Sequence, residues 1–204
     1  MENLLYWVGL AAVAVTALTG VMDAGRKNMD LVGVVVVGIT TALGGGTLRD
    51  LLLDRPVFWL SDHTYLVVAM ATTLLSFVLV RSLRLPPRLF LLPDAFGLAL
   101  FTILGTQVAL QWQAPWLAAS LLGVMTGVFG GVLRDVLCND VPLIFLRGEL
   151  YATASLMGAL TLIGLQALDV TPVLAAWGGM AIVLAVRLLA LAFHITVPTY
   201  TARQ

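Results

Sequence analysis

The chain has 204 residues, 60% of them hydrophobic and 11% charged, with eleven Lys or Arg balanced by eleven Asp or Glu, and its mean hydropathy is +1.01. Soluble domains carry about 25% charged residues, and a chain this short has no core large enough to hide so much apolar surface, so a water-soluble fold is excluded and a membrane-spanning one is implied. Zero net charge and the lack of a basic stripe offer nothing to nucleic acid, while one cysteine, Cys138, and two distant histidines, His63 and His194, make no metal-ligand set.

A helix needs about 20 mostly apolar residues to cross the hydrocarbon core. Uncharged stretches predict spans over 4–22, 31–48 (with a possible extension to 53) and 64–80. The first span follows no Lys or Arg and no small-residue cleavage site, so it reads as a retained helix rather than a leader. Residues 95–133 are uncharged for 39 positions, too long for one crossing, and are divided at Gln111-Trp112-Gln113-Ala114-Pro115-Trp116. Trp favours the interface and Pro tolerates a helix start, so fourth and fifth spans meet there. A sixth covers 150–168 and a seventh 173–194, interrupted by Arg187; the rest reads as short loop. Arg26, Lys27, Arg81, Arg84, Arg88, Arg147 and Arg203 then fall on one side, and Arg55 with Glu2, Asp54, Asp62 and Asp169 on the other. The basic side is expected to be cytoplasmic, which puts the N-terminus outside and the C-terminus inside.

Residues 38–50 and 123–135 match at an offset of 85, sharing Gly38/Gly123, Thr41/Thr126, Gly45/Gly130, Gly46/Gly131, Leu48/Leu133, Arg49/Arg134 and Asp50/Asp135. A fainter match pairs Gly9 with Gly97 and Ala17 with Gly105 at an offset of 88, and each motif is followed by a proline and apolar residues, at 56–58 and 142–144. The motifs lie in the second and fifth spans, so each repeat is three helices, and an odd number of crossings inverts the second repeat. The expected fold class is an all-α membrane protein of seven transmembrane helices: two inverted three-helix repeats plus a seventh helix. It forms one transmembrane domain over 1–204, with repeat one at about 4–84, repeat two at about 91–168 and the seventh helix at about 173–194.

The glycines of the motif, Gly44, Gly45, Gly46, Gly130 and Gly131, admit two readings. They pack helices closely, or they let the backbone unwind around a wet path where freed carbonyls meet cations and freed N–H groups meet anions. Recurrence beside Arg-Asp favours the functional break, and Thr41 and Thr126 add hydroxyls a turn earlier. Arg49, Asp50, Arg134 and Asp135 are interfacial charges or deeper functional groups, depending on where the helices begin. Adjacent side chains point about 100° apart, so neither Arg-Asp pair needs to be a direct ion pair. Arg187 reads as snorkelling to the interface, Asp23 and Asp30 as solvated loop residues, and Asp94 as a helix cap in preference to a group at a pore mouth. Gln107, Gln111 and Gln113 line a polar path or mark the interface. Gly97, Gly105, Gly158 and Gly164 serve either subunit contacts or packing within the chain. No nucleophile elbow, HExxH or P-loop occurs, so neither an enzyme nor a bound cofactor is expected.

The run 41–50, its partner 130–135 and the Asp-Ala-Phe-Gly-Leu-Ala-Leu-Phe-Thr run 94–102 resemble the prokaryotic trimeric intracellular cation (TRIC) channels over residues 4–194. The resemblance implies a homotrimer in which each subunit encloses an hourglass pore for monovalent cations, chiefly potassium, within the lipid of the cell membrane. It also implies that the glycines kink the second and fifth helices around that pore. By match of motif, Thr41, Gly44, Gly45, Gly46, Thr126, Gly130 and Gly131 become pore or hinge candidates, and Arg49, Asp50, Arg134 and Asp135 charged groups near it. Phe129 stands where Gly44 does, so the two breaks are expected to differ. Animal members bind phosphoinositide through a basic Lys-Glu-Val pattern that this chain lacks, and the lipid site does not carry over. Related bacterial sequences are also labelled glycine transporters, and inverted repeats suit carriers as well as channels. A secondary transporter of a small zwitterion such as glycine is therefore the alternative.

Overall fold

The computed structural model describes residues 2–81, 86, 89–146, 150–193 and 195; Arg84, Arg88, Arg147, His194 and Arg203 lie outside them. The described residues form helices α1 (Glu2–Arg26), α2 (Leu31–Leu52), α3 (Phe58–Ser61), α4 (Thr64–Arg81), α5 (Leu91–Gln111), α6 (Trp116–Leu137), α7 (Tyr151–Ala167) and α8 (Pro172–Phe193). Six of these are long and apolar enough to cross a membrane, and α7 is an apolar helix of 17 residues, about 25 Å long at 1.5 Å per residue. With α7 counted, the seven expected crossings are present. The one-turn α3 and a 3₁₀ turn at Leu143–Phe145 stand where only loop was expected.

Helix ends follow local chemistry. Asp30 accepts from the backbone N–H of Gly33 at 2.8 Å and caps α2. Asp62 does the same for Thr64 at 2.9 Å, and those hydrogen bonds hold its exposed carboxyl below the usual range. Pro115 stands at the N-cap of α6. Two helices run further than uncharged counting predicts: α1 continues through Asp23 to Arg26, and α5 begins at Leu91, so Asp94 sits inside its first turn.

Helices α1, α2 and α4 form one repeat, and α5, α6 and α7 the other. The offset of 85 persists down to individual hydrogen bonds. Leu53 N–H donates to Arg49 C=O at 3.0 Å and Cys138 N–H to Arg134 C=O at 2.9 Å; Arg55 N–H donates to Asp50 C=O and Asp140 N–H to Asp135 C=O. Asn28 and Gln113, and likewise Asp54 and Asn139, adopt matching left-handed backbone conformations with φ of 55° and 59°, and 49° and 56°. Upstream, Gly20 sits against Gly38 and Thr41 as Gly105 sits against Gly123 and Thr126. Gly105 is therefore the counterpart of Gly20, not of Ala17, and the expected offset of 88 is corrected to 85. Identity at isolated small residues had pointed to the wrong register.

The repeats meet where α2 crosses α6. A Cβ on Gly45 would strike the Thr126 carbonyl, and one on Gly130 the Thr41 carbonyl; these two contacts exchange under the offset of 85. Both helices run unbroken through their glycines. The expected unwinding is thus overturned: the glycines let two continuous helices touch backbone to backbone. Gly97, Gly105 and Gly158 pack inside the chain, against Thr16, Thr126 and Val183, whereas Gly164 faces open space. Helix α8 stands outside the repeats and packs on α7 through reciprocal contact of Gly158 and Gly179.

Gly45→Val or Gly130→Val is expected to drive the helices apart and abolish a monodisperse peak on size exclusion in detergent. Gly164→Ala should keep the fold and gain about 0.5–1 kcal/mol from helix propensity, read as a higher Tm.

Candidate functional site

The two Arg-Asp motifs lie three residues from the ends of their helices, yet neither arginine reaches outward: Arg49 and Arg134 are both buried. Arg49 Nε donates to Asp50 Oδ1 at 2.8 Å, and Arg134 Nε to Asp135 Oδ1 at 2.8 Å. The expectation that adjacent residues need not pair is therefore corrected; the flexible arginine stem overcomes the 100° between Cα–Cβ directions. The second carboxylate oxygen of each Asp accepts the backbone N–H that starts the following turn, Phe58 for Asp50 and Leu143 for Asp135, both at 2.8 Å. Each motif thus joins its helix end to the segment after it, α3 or the 3₁₀ turn.

Beyond that shared core the two sites diverge. Arg134 Nη1 donates to Asp94 Oδ1 at 2.6 Å, and its Nε lies 3.6 Å from Asp23 Oδ2. Asp23 also takes Arg26 at 3.0 Å. Both guanidiniums contact the Phe90 ring, each 5.2 Å from its centroid. Three carboxylates thus surround Arg134 and Arg26, and Arg187 adds a third buried guanidinium across the Tyr151 ring. Asp23, expected to be solvated, and Asp94, expected to cap, are instead buried partners of a buried cation, as low-dielectric burial demands. Arg187, expected to snorkel, is fully buried, with its guanidinium 4.7 Å from the Tyr151 ring centroid. Gln107 is bonded to Gln166 at 2.9 Å, while Gln111 and Gln113 are exposed.

At the crossing itself lies a cavity of about 10 Å³ lined by Thr16, Thr19, Thr41, Thr126, Asp94 and Tyr151, with Gly45, Gly130 and Gly131 in its wall. This is about the volume of one water. Thr41 and Thr126 hydroxyls donate to Val37 and Leu122 carbonyls, both at 2.6 Å, which leaves their oxygen lone pairs free to accept. Asp94 Oδ2 is buried and makes no hydrogen bond among the described residues. Gly44 and Gly46 pack instead against Leu133 and the Phe58 ring. On the N-terminal side, a cavity of about 320 Å³ contains Arg49, Arg55 and Tyr65. On the opposite side, one of about 600 Å³ lies between α1, α2 and α4 and reaches Phe90. Sequence reasoning missed Thr16 and Thr19, read Asp23 as solvated and preferred a cap to a pore mouth for Asp94. A buried arginine in a repeated motif requires carboxylates, and Asp94 opening an uncharged helix was the available signal.

This architecture defines the class: a multi-pass, inverted-repeat membrane protein. A family model described as "Glycine transporter" matches residues 6–81 and 91–167, and the chain belongs to that family. The UPF0126 inner membrane protein YadS of Escherichia coli K12 is 45% identical over 201 residues, 97% of this chain and 96% of that one. A UPF0126 membrane protein of Vibrio cholerae is 42% identical over 97% of this chain and 83% of its own length. Among solved structures, the TRIC trimeric intracellular cation channel orthologue from Rhodobacter sphaeroides is 35% identical, with a TM-score of 0.90, and the match covers 95% of this chain and all of that one. A trimeric intracellular cation channel from C. elegans, 14% identical over 92% of this chain and 91% of its own with a TM-score of 0.64, shares the fold.

Arg134→Met should cost about 3–5 kcal/mol, because removing one partner strands buried carboxylates. Arg134→Lys should recover little, since an ammonium cannot reproduce the guanidinium fork; thermal unfolding in detergent measures both. Cys138 closes α6 beside this cluster, and burial, followed by Asp23, pushes its thiol up to about 12. Maleimide at pH 8 should therefore leave the folded protein unlabelled, label it in SDS, and label Arg134→Met without detergent denaturation.

Proposed function

We propose that the chain is a channel for monovalent cations, permeable to potassium, with one pore in each subunit of a homotrimer in the inner membrane, and that it has no enzymatic activity. The single transmembrane domain would span residues 1–204 with the repeat bounds expected above, the N-terminus outside and the C-terminus cytoplasmic. The observation that carries the reading is the Asp94 carboxylate: one oxygen is held by Arg134, and the residue lines a small buried cavity with the hydroxyls of Thr16, Thr19, Thr41 and Thr126 and with Tyr151. Oxygen ligands of this kind replace a cation's hydration shell. Solved TRIC relatives at 35% and 33% identity, described as cation channels, support the same reading.

In this scheme the path runs from the Arg49 cavity through the crossing to the cluster around Arg134. Thr41 and Thr126 supply hydroxyls at its narrowest point. Gly45 and Gly130 set the width there by fixing the helix separation, and Gly44, Gly46 and Gly131 let neighbouring side chains close around it. A cavity of about 10 Å³ admits no hydrated ion, so this is the closed state. Opening requires Arg134 to shift away from Asp94.

Purified protein in a planar bilayer under a potassium gradient should show discrete openings that reverse near the potassium potential. Asp94→Asn, which keeps the shape and removes the charge, should lower the conductance and move the reversal potential toward zero. A silent bilayer together with saturable glycine uptake in liposomes would replace the channel with the carrier that the family description suggests.

A further inference from the structure

The two halves differ most where their motif arginines look for partners. Under the offset of 85, Arg134 corresponds to Arg49 and Asp135 to Asp50. The other two carboxylates around Arg134, Asp94 and Asp23, correspond to Gly9 and Val108. Both of these line the cavity of about 320 Å³ in which Arg49 sits. The cavity therefore occupies the place that carboxylates fill in the other half. Repeat one supplies more positive charge rather than less. Arg55 stands where repeat two has Asp140, and its Nε is buried, 3.6 Å from Asp50 Oδ1 and without a hydrogen bond among the described residues. Its guanidinium lies 4.5 Å from the Trp112 ring centroid. Two guanidiniums thus share one carboxylate, Asp50, in a partly buried space.

Tyrosine placement extends the match. Tyr151 lies beside Asp94 in the crossing cavity. Tyr65, one residue out of register with Tyr151, places its hydroxyl 3.0 Å from where a Gly9 Cβ would be. A carboxylate entering above Gly9 would meet Arg49, Arg55 and the Tyr65 hydroxyl, much as Asp94 meets Arg134 and Tyr151. From this juxtaposition we infer that the Arg49 cavity is a binding site for a small carboxylate anion, which supplies from solution the group that Asp94 supplies from the chain. The inference does not depend on the channel reading, because binding is measured without flux.

Thermal unfolding in detergent tests it, with sodium acetate compared with sodium chloride at equal ionic strength. Acetate should raise the wild-type Tm by about 3 °C at tenfold excess over its dissociation constant. Gly9→Asp, which builds the carboxylate in, should remove that response. Arg55→Gln should weaken it, and provides the second arm if Gly9→Asp does not fold. Equal Tm values in acetate and chloride would overturn the inference. So would an undiminished acetate response in the variants, or stabilisation by phosphatidylglycerol nanodiscs with none by acetate, which would assign the site to a lipid headgroup.

Discussion

Everything in this molecule is arranged around one contact, the backbone-to-backbone crossing of α2 and α6. Gly45 lies on the Thr126 carbonyl and Gly130 on the Thr41 carbonyl, so each helix supplies both the gap and the group that fills it. In lipid no hydrophobic effect draws helices together; close van der Waals approach and polar contacts must do so. Any side chain at either glycine would separate the helices and open the threonine-lined space at the centre. The same contact accounts for the unbroken helices. Glycine is a poor helix former, but here its missing Cβ is used for approach rather than for backbone freedom.

The crossing also sets where charge can be buried. Each helix ends in an Arg-Asp pair whose carboxylate clamps the next turn, and those pairs sit at opposite ends of the crossing. At one end, Asp23 and Asp94 join Asp135 around Arg134, and Arg26 pairs with Asp23. At the other, Arg55 crowds Arg49 and Asp50. Even the outer contacts trade roles. Lys27 and Asp140 form an ion pair of 2.7 Å, and at the corresponding positions Trp112 and Arg55 form a cation–π contact of 4.5 Å. One backbone plan therefore holds one motif arginine among three buried carboxylates and the other beside a second arginine.

Much of the fold was legible because the membrane makes composition speak directly: uncharged length locates the spans, and the shared Gly-Gly-Val/Thr-Leu-Arg-Asp pattern locates the repeat. The failures share one physical cause. Treating charge as the end of a helix placed Asp23 and Asp94 outside α1 and α5, whereas both are tolerated inside because Arg134 waits for them. Treating Arg187 as a snorkelling side chain ignored Tyr151, which stacks against it from a helix that sequence gives no reason to place there. Glycine was ambiguous for a related reason. Whether it frees the backbone or admits a neighbour depends on what stands opposite, and the Thr41 and Thr126 carbonyls are distant in sequence. The register of the first helices was misread because Gly9 and Gly97 are identical by residue type, while three-dimensional correspondence pairs Gly97 with Ala12.

An inverted repeat with identical halves would possess two conformations of equal energy, related by a two-fold rotation about an axis in the membrane plane. Of the two motif arginines, Asp23 and Asp94 anchor Arg134, and among the described residues only Asp50 pairs with Arg49. Exchanging the conformations of the two halves would rupture the buried carboxylate contacts at one end without creating replacements at the other. The degeneracy is lifted by those two side chains, and the two halves acquire different resting energies at their otherwise equivalent ends.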